Sequence, residues 1–80
     1  MKYVYVIQSI NTPAEFYTGI TEDITARLTD HNEGKSIHTN KFKPWRLMYY
    51  FCFADDKKAF AFEQYLKSGS GRAFSQKHFR

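Results

Sequence analysis

Five side chains in this sequence are of the kinds that handle a phosphate group and a proton: Tyr5, Tyr17, Arg27, His31 and Glu63. Arg27 and His31 stand four positions apart, about one helical turn, so both can serve one point from one helix face. A guanidinium offers a rigid fork of donors to an anionic oxygen, and an imidazole can take or give a proton near neutral pH. Glu63 falls inside the apolar series Ala59, Phe62 and Leu66, where a leucine would serve packing better. An ionised carboxylate there needs an arginine, a hydrogen-bond donor, a metal ion or an open cleft. Tyr5 and Tyr17 lie in two apolar segments near the N-terminus, and strand register decides whether their phenols share a sheet face. Purely structural roles stay open for all five. Arg27 could carry its head to water, His31 could be a satisfied semi-buried histidine, Glu63 could pair with Arg27 or sit at an exposed edge, and the tyrosines could simply pack.

The elements that would position these groups follow from local pattern. Tyr3 to Ile7 is a β-branched and aromatic run that leads through Ser9, Asn11, Thr12 and Pro13 into a turn, and Glu15 to Ile20 is a second short strand able to pair with it antiparallel. Gly19 permits a bulge or a close backbone approach near the end of that strand. Thr21 can cap a helix that runs to about Asn32 and stops at Gly34, with Ile24, Leu28 and His31 on one stripe and Arg27 at its edge. Residues 34–45 read as a basic loop ending in Pro44, and Arg46 to Phe53 as the third and most apolar strand. Asp55 can cap a second helix to about Lys67, Ser68, Gly69, Ser70 and Gly71 should break it, and Arg72 to Phe79 should form a short last helix. The expected fold is therefore α/β of the α+β kind, a three-stranded antiparallel sheet flanked by helices in the order β-β-α-β-α-α.

With 80 residues the chain has room for one core, so residues 1–80 are expected to form a single domain. Aromatics make up 19% of the residues, which suits a small core that must bury large side chains. The lone Cys52, set in the run Leu47 to Phe53, reads as a small buried hydrophobe and excludes a disulfide framework or a cysteine zinc site. No apolar stretch is long enough for a signal peptide or a membrane span, so a cytoplasmic protein with no membrane partner is expected. The formal charge of +4 favours an anionic partner. Two segments concentrate the cations: Lys35, Lys41, Lys43 and Arg46, with His38 able to reach a phosphate from the same loop, and Arg72, Lys77 and Arg80 near the C-terminus.

Taken in order, Tyr5, then Tyr17-Thr18-Gly19, then the Arg27 and His31 pair, then Glu63 on a later helix resemble the GIY-YIG nuclease superfamily over nearly the whole chain, and most of all its small stand-alone bacterial members. The resemblance implies hydrolysis of a phosphodiester with one divalent ion, Mg²⁺ or Mn²⁺, held by Glu63. It gives Tyr5 the place of the base that activates water, either with a lowered pKa or with its proton relayed through His31. It has Arg27 stabilise charge on the phosphate, Tyr17 hold the water or phosphate, and Gly19 let the chain pass close to the pocket. The partner it implies is nucleic acid, DNA first, cleaved with weak sequence specificity by a monomer or weak dimer. Two departures are visible: the first motif, Tyr3-Val4-Tyr5, lacks a glycine, and no asparagine follows Asn40. The region around Ser75 and Gln76 would have to supply the hydrogen bond that a C-terminal asparagine gives many of these nucleases. A non-catalytic nucleic-acid-binding domain is the main alternative, and a scaffold that meets an acidic protein is a third.

Overall fold

The side-chain alternation of one strand sorts the molecule into two layers. In the computed structural model, which describes all 80 residues, strand β1 spans Lys2–Ser9 and lies between β2 (Phe16–Thr21) and β3 (Trp45–Phe53), antiparallel to both. Val4 and Val6 point to one face and pack with Ala59 and Leu66, while Tyr5 and Ile7 point to the other and pack with Trp45. Because β1 is flanked on both edges and covered on both faces, Val4 to Ile7 are all buried. The first helix, α1 (Ile24–Asn32), brings Ile24 and Leu28 to the Tyr5 face; α2 (Asp56–Lys67) and α3 (Gly69–Phe79) bring Phe62 and Phe74 to the Val4 face.

The β1–β2 register sets Tyr5 opposite Gly19 and Ile7 opposite Tyr17, so both phenols do emerge on the α1 face. In β3 the pairing shifts between Val6 and Ile7, with Tyr49 opposite Val6 and Leu47 opposite Ile7. The extra residue, Met48, turns toward the Val4 cluster with Tyr49 and leaves Leu47 and Trp45 for the Tyr5 cluster.

Local signals account for most helix ends. Asp55 caps α2 by accepting from the Lys57 and Lys58 amides at 2.8 and 3.3 Å. Gly34, at φ 77°, closes α1, its amide donating to the His31 carbonyl at 3.2 Å. Three expectations are corrected. Thr21 does not cap α1: its hydroxyl accepts from the Asp23 amide at 3.2 Å, and Asp23 caps the helix by accepting from Ala26 at 3.0 Å. The second helix does end at Lys67 as expected, but α3 begins at Gly69 and not at Arg72, with Ser68 accepting from the Gly71 amide at 3.2 Å. A Cβ on Gly71 would strike the Tyr65 carbonyl and come within 2.6 Å of Leu66 Cα, so the glycine is there for close approach of α3 to α2. Cys52 is exposed and not buried, because it shares a face with the exposed Tyr50 at the end of an edge strand.

The basic loop is tied down from beneath. Ser9, fully buried, donates to the Phe42 carbonyl at 2.7 Å, and Trp45 Nε1 donates to the Thr39 carbonyl at 2.8 Å. Asn32 grips the Trp45 backbone from both sides, accepting from its amide at 2.5 Å and donating to its carbonyl at 3.1 Å. These contacts hold Thr39 under the end of α1.

Candidate functional site

Tyr5 leaves the central strand directly across from Gly19, and its ring lies over the glycine backbone. A Cβ on Gly19 would come within 2.5 Å of Tyr5 Cζ and collide with the hydroxyl. The ring is 2% exposed, and its hydroxyl meets His31 Nε2 at 2.8 Å. His31, on the inward stripe of α1, is completely buried and bonded at both nitrogens, with Nδ1 2.7 Å from Thr39 Oγ. A buried polar chain Thr39, His31, Tyr5 results. Neutral imidazole has one donor and one acceptor nitrogen, so if Nδ1–H donates to Thr39, the Nε2 lone pair faces the Tyr5 hydroxyl. Tyr17 packs against the same imidazole, ring centroids 5.2 Å apart and edge to face.

Charge and burial act on this chain in known directions. Burial pushes the Tyr5 phenol above its usual value of 10.0; the Arg27 guanidinium beside it pulls back, and Tyr17 and the Glu63 carboxylate push up again. Tyr5 is therefore a neutral phenol near pH 7, contrary to the expectation of a lowered pKa. Burial first, and Arg27 second, hold His31 below its ordinary value, so the imidazole is neutral near pH 7. Arg27 is part-exposed at the rim, its only carboxylate neighbour Asp30 at 4.0 Å.

Glu63 stands on α2 in the other helix layer, where its charge acts on the Tyr5 phenol but no hydrogen bond or ion pair joins it to Tyr5, Tyr17, Arg27 or His31. It is 7% exposed, and it is neither paired with Arg27 nor set at an open edge. Its Oε2 takes Lys67 Nζ at 3.0 Å and its Oε1 accepts from Gln64 Nε2 at 3.2 Å. No three acidic, histidine or cysteine side chains converge as a metal cage. A single carboxylate suits a hard cation that draws most of its oxygen ligands from water and phosphate, and it does not suit zinc.

Among the expected phosphate contacts, Lys35, His38, Lys41, Lys43, Arg46, Arg72 and Lys77 are all exposed. Several have partners already: Lys35 bridges Asp30 and Glu33, Lys43 donates to Asn40 at 2.7 Å, and Arg46 donates to Gln8 at 2.6 Å. Ser75 is unavailable as a stand-in for the missing asparagine. It is buried on the Val4 side, 2.5 Å from the Tyr49 hydroxyl, where it fastens α3 to the sheet. Two residues that matter went unread in the sequence. Thr39 lies in an aperiodic loop and carries no signal, whereas Lys67 follows Glu63 by four residues, a spacing that does foretell their pairing.

Comparison with other proteins bears on the family and the fold. The family model described as the GIY-YIG catalytic domain matches residues 1–77. A UPF0213 protein of Lacticaseibacillus paracasei is 38% identical over 66 residues, 81% of this chain and 72% of its own. One from Streptococcus pyogenes serotype M3 is 32% identical over 72 residues, 89% of this chain and 76% of its own. The solution NMR structure of a UPF0213 protein from Bacillus halodurans superposes with a TM-score of 0.56 at 31% identity, covering 95% of this chain and 81% of that one.

Proposed function

This chain belongs to the GIY-YIG catalytic-domain family, and on that premise we propose that it is a cytoplasmic nuclease that hydrolyses DNA phosphodiesters with one divalent ion. The observation that carries the reading is the 2.8 Å contact of Tyr5 Oη with His31 Nε2, on a phenol that feels both Arg27 and Glu63. Water attacking phosphorus gives its proton to Tyr5 Oη while the phenol proton passes to His31 Nε2, so no free phenolate forms. Thr39 holds the ring, and the tautomer that this requires is the one in which Nδ1–H donates to the Thr39 hydroxyl. Arg27 donates to a non-bridging phosphoryl oxygen as charge builds there. Glu63 is the residue that would hold the ion, Mg²⁺ or Mn²⁺, which when bound would supply positive charge to the phosphate. The P–O3′ bond breaks, the leaving 3′ oxygen takes a proton from solvent water, His31 gives its proton back to solvent through Tyr5, and the products carry a 5′ phosphate and a 3′ hydroxyl. Little surface remains for reading bases, so sequence preference is weak. No helix is long and apolar enough to cross a membrane.

The test is a panel of fluorescent duplex, branched and single-stranded DNA and RNA with Mg²⁺ or Mn²⁺, run on the wild type, Glu63→Ala and Arg27→Ala. Cleavage by the wild type that falls at least about 100-fold in both variants is expected. Salt-sensitive binding with no cleavage would instead make the chain a binding domain that retains the fold.

A further inference from the structure

The larger of the molecule's two clefts is not lined by Tyr5, Arg27, His31 or Glu63. It opens over the outer edge of β2, where α2 meets α3, with a volume of about 450 Å³, inside the roughly 300–1,000 Å³ range of sites that hold small organic ligands. Three cations line it, Lys67, Arg72 and Arg80, against one carboxylate, Glu15, over a floor that includes Phe16. Arg80 is held in place with its guanidinium 3.7 Å from the centroid of the Phe16 ring, which leaves its donors free at the edge of the stack. Arg72 makes no ion pair and no side-chain hydrogen bond, and neither does Arg80, whereas the charge of Lys35 in the basic loop is already met by Asp30 and Glu33. The cleft is also joined to the reaction centre. Tyr17 forms part of its wall, and Lys67 lines it while its ammonium pairs with Glu63.

We propose that this cleft is a phosphate subsite that takes the backbone of the nucleic-acid strand next to the bond being cut. The proposal rests on the nuclease reading for its direction: a strand whose scissile phosphate faces Tyr5 and Arg27 continues past Tyr17 and over the β2 edge. There Arg72 and Arg80 donate to the neighbouring phosphate, with Lys67 at the junction. The volume accommodates a nucleotide unit and not only a bare anion. Arg80 already covers Phe16, so the cleft reads the backbone and offers no open ring there for a base to stack on. The C-terminal basic segment thus makes the flanking contact.

The experiment is fluorescence anisotropy of a labelled 20-base-pair duplex in EDTA, across a series of salt concentrations, on the full chain. Arg72→Ala/Arg80→Ala should weaken binding about tenfold and flatten the slope of log K against log salt by about 2, as loss of two phosphate contacts requires. Lys57→Ala/Lys58→Ala removes the same charge from the exposed start of α2 and should leave the slope unchanged. Equal flattening by both pairs would mean bulk charge alone and would overturn the subsite. If loss of Arg80 unsettles the fold, Arg72→Ala alone should still flatten the slope by about 1. Inorganic phosphate and a mononucleotide are titrated in parallel by NMR at the Phe16 and Gly71 amides. Saturation by either at concentrations below those of the duplex would make the cleft a small-molecule site and overturn the proposal. If the slope changes as expected but the wild type cuts nothing with Mg²⁺ or Mn²⁺, the nuclease reading fails and the subsite stands. If the wild type cuts and the arginine pair changes neither KM nor binding, the subsite fails and the nuclease reading stands.

Discussion

Among the polar residues buried in this small core, His31 and Glu63 are buried in opposite ways. His31, under α1, has both nitrogens bonded within the protein, to a phenol and a hydroxyl that are themselves buried. Glu63, on α2, is almost as enclosed, but its partners are Gln64 and Lys67, two side chains that reach in from solvent. The first arrangement is closed, and moving any member leaves another unsatisfied in low dielectric. The second is open on its outer side, since an exposed lysine can swing away at little cost. A closed chain is suited to holding a proton path in one geometry, and an open carboxylate is suited to exchanging its counter-charge for a metal ion.

Breaking the layer that carries Glu63 should have the largest effect on stability. Gly71→Ala puts a methyl against the Tyr65 carbonyl and 2.5 Å from its carbon, and backbone at that contact cannot yield. A loss of about 3 kcal/mol or more is expected in urea unfolding, with α3 released from α2. Gly19→Ala attacks the closed layer instead. The methyl collides with the end of the Tyr5 ring, and the ring has nowhere to go because it is buried and held by His31. We expect about 1–3 kcal/mol of destabilisation, with cleavage lost beyond what unfolding explains. Folded, inactive Gly19→Ala protein would support the separation of the two layers; folded and fully active protein would refute it.

Thr39→Val keeps the shape and removes the hydroxyl, leaving His31 Nδ1 without a partner. A cost of roughly 1–3 kcal/mol follows, with a lower kcat and little change in KM if the hydroxyl acts through the imidazole. The closed chain also has a signature in acid. His31 titrates below its ordinary value when folded, so below about pH 6.5 the unfolded chain binds a proton that the native state refuses. Stability from this residue is complete above that pH and is lost as pH falls. Urea midpoints at pH 7.5 and 5.5 should therefore differ more in the wild type than in His31→Gln; equal differences would show that the imidazole is not held neutral.

How much of this could be read in advance depends on whether a residue's neighbours are local. Gly34 and Asp55 end and begin helices by contacts within a few residues, and both were legible. Tyr5, Tyr17 and His31 came together as strand alternation and helical spacing imply, although only the register of β1 on β2 decides it. Thr39 was invisible because its place depends on Trp45 and Asn32 anchoring an aperiodic loop. Cys52 misled because an apolar run says nothing of which strand lies at the sheet edge, and Gly71 misled on where α3 begins because a glycine that lets a helix approach its neighbour looks, in sequence, like one that lies outside it.

The smallest expected effect is the one that best sharpens the contrast between closed and open. Lys67 and Glu63 form an (i, i+4) pair at 3.0 Å, with the lysine side chain 43% exposed, so the pair itself contributes little to stability. Lys67→Met keeps the aliphatic stem and removes the charge that competes for the carboxylate. Unfolding should shift by no more than about 0.5 kcal/mol. Mn²⁺ titrated calorimetrically should bind roughly two- to fivefold more tightly, equivalent to about 0.5–1 kcal/mol, because the ion no longer displaces an ammonium. Glu63→Gln should abolish the heat in either background. Weaker or unchanged Mn²⁺ binding in Lys67→Met would mean that the lysine does not stand where the ion goes, and Glu63 would then be as closed as His31.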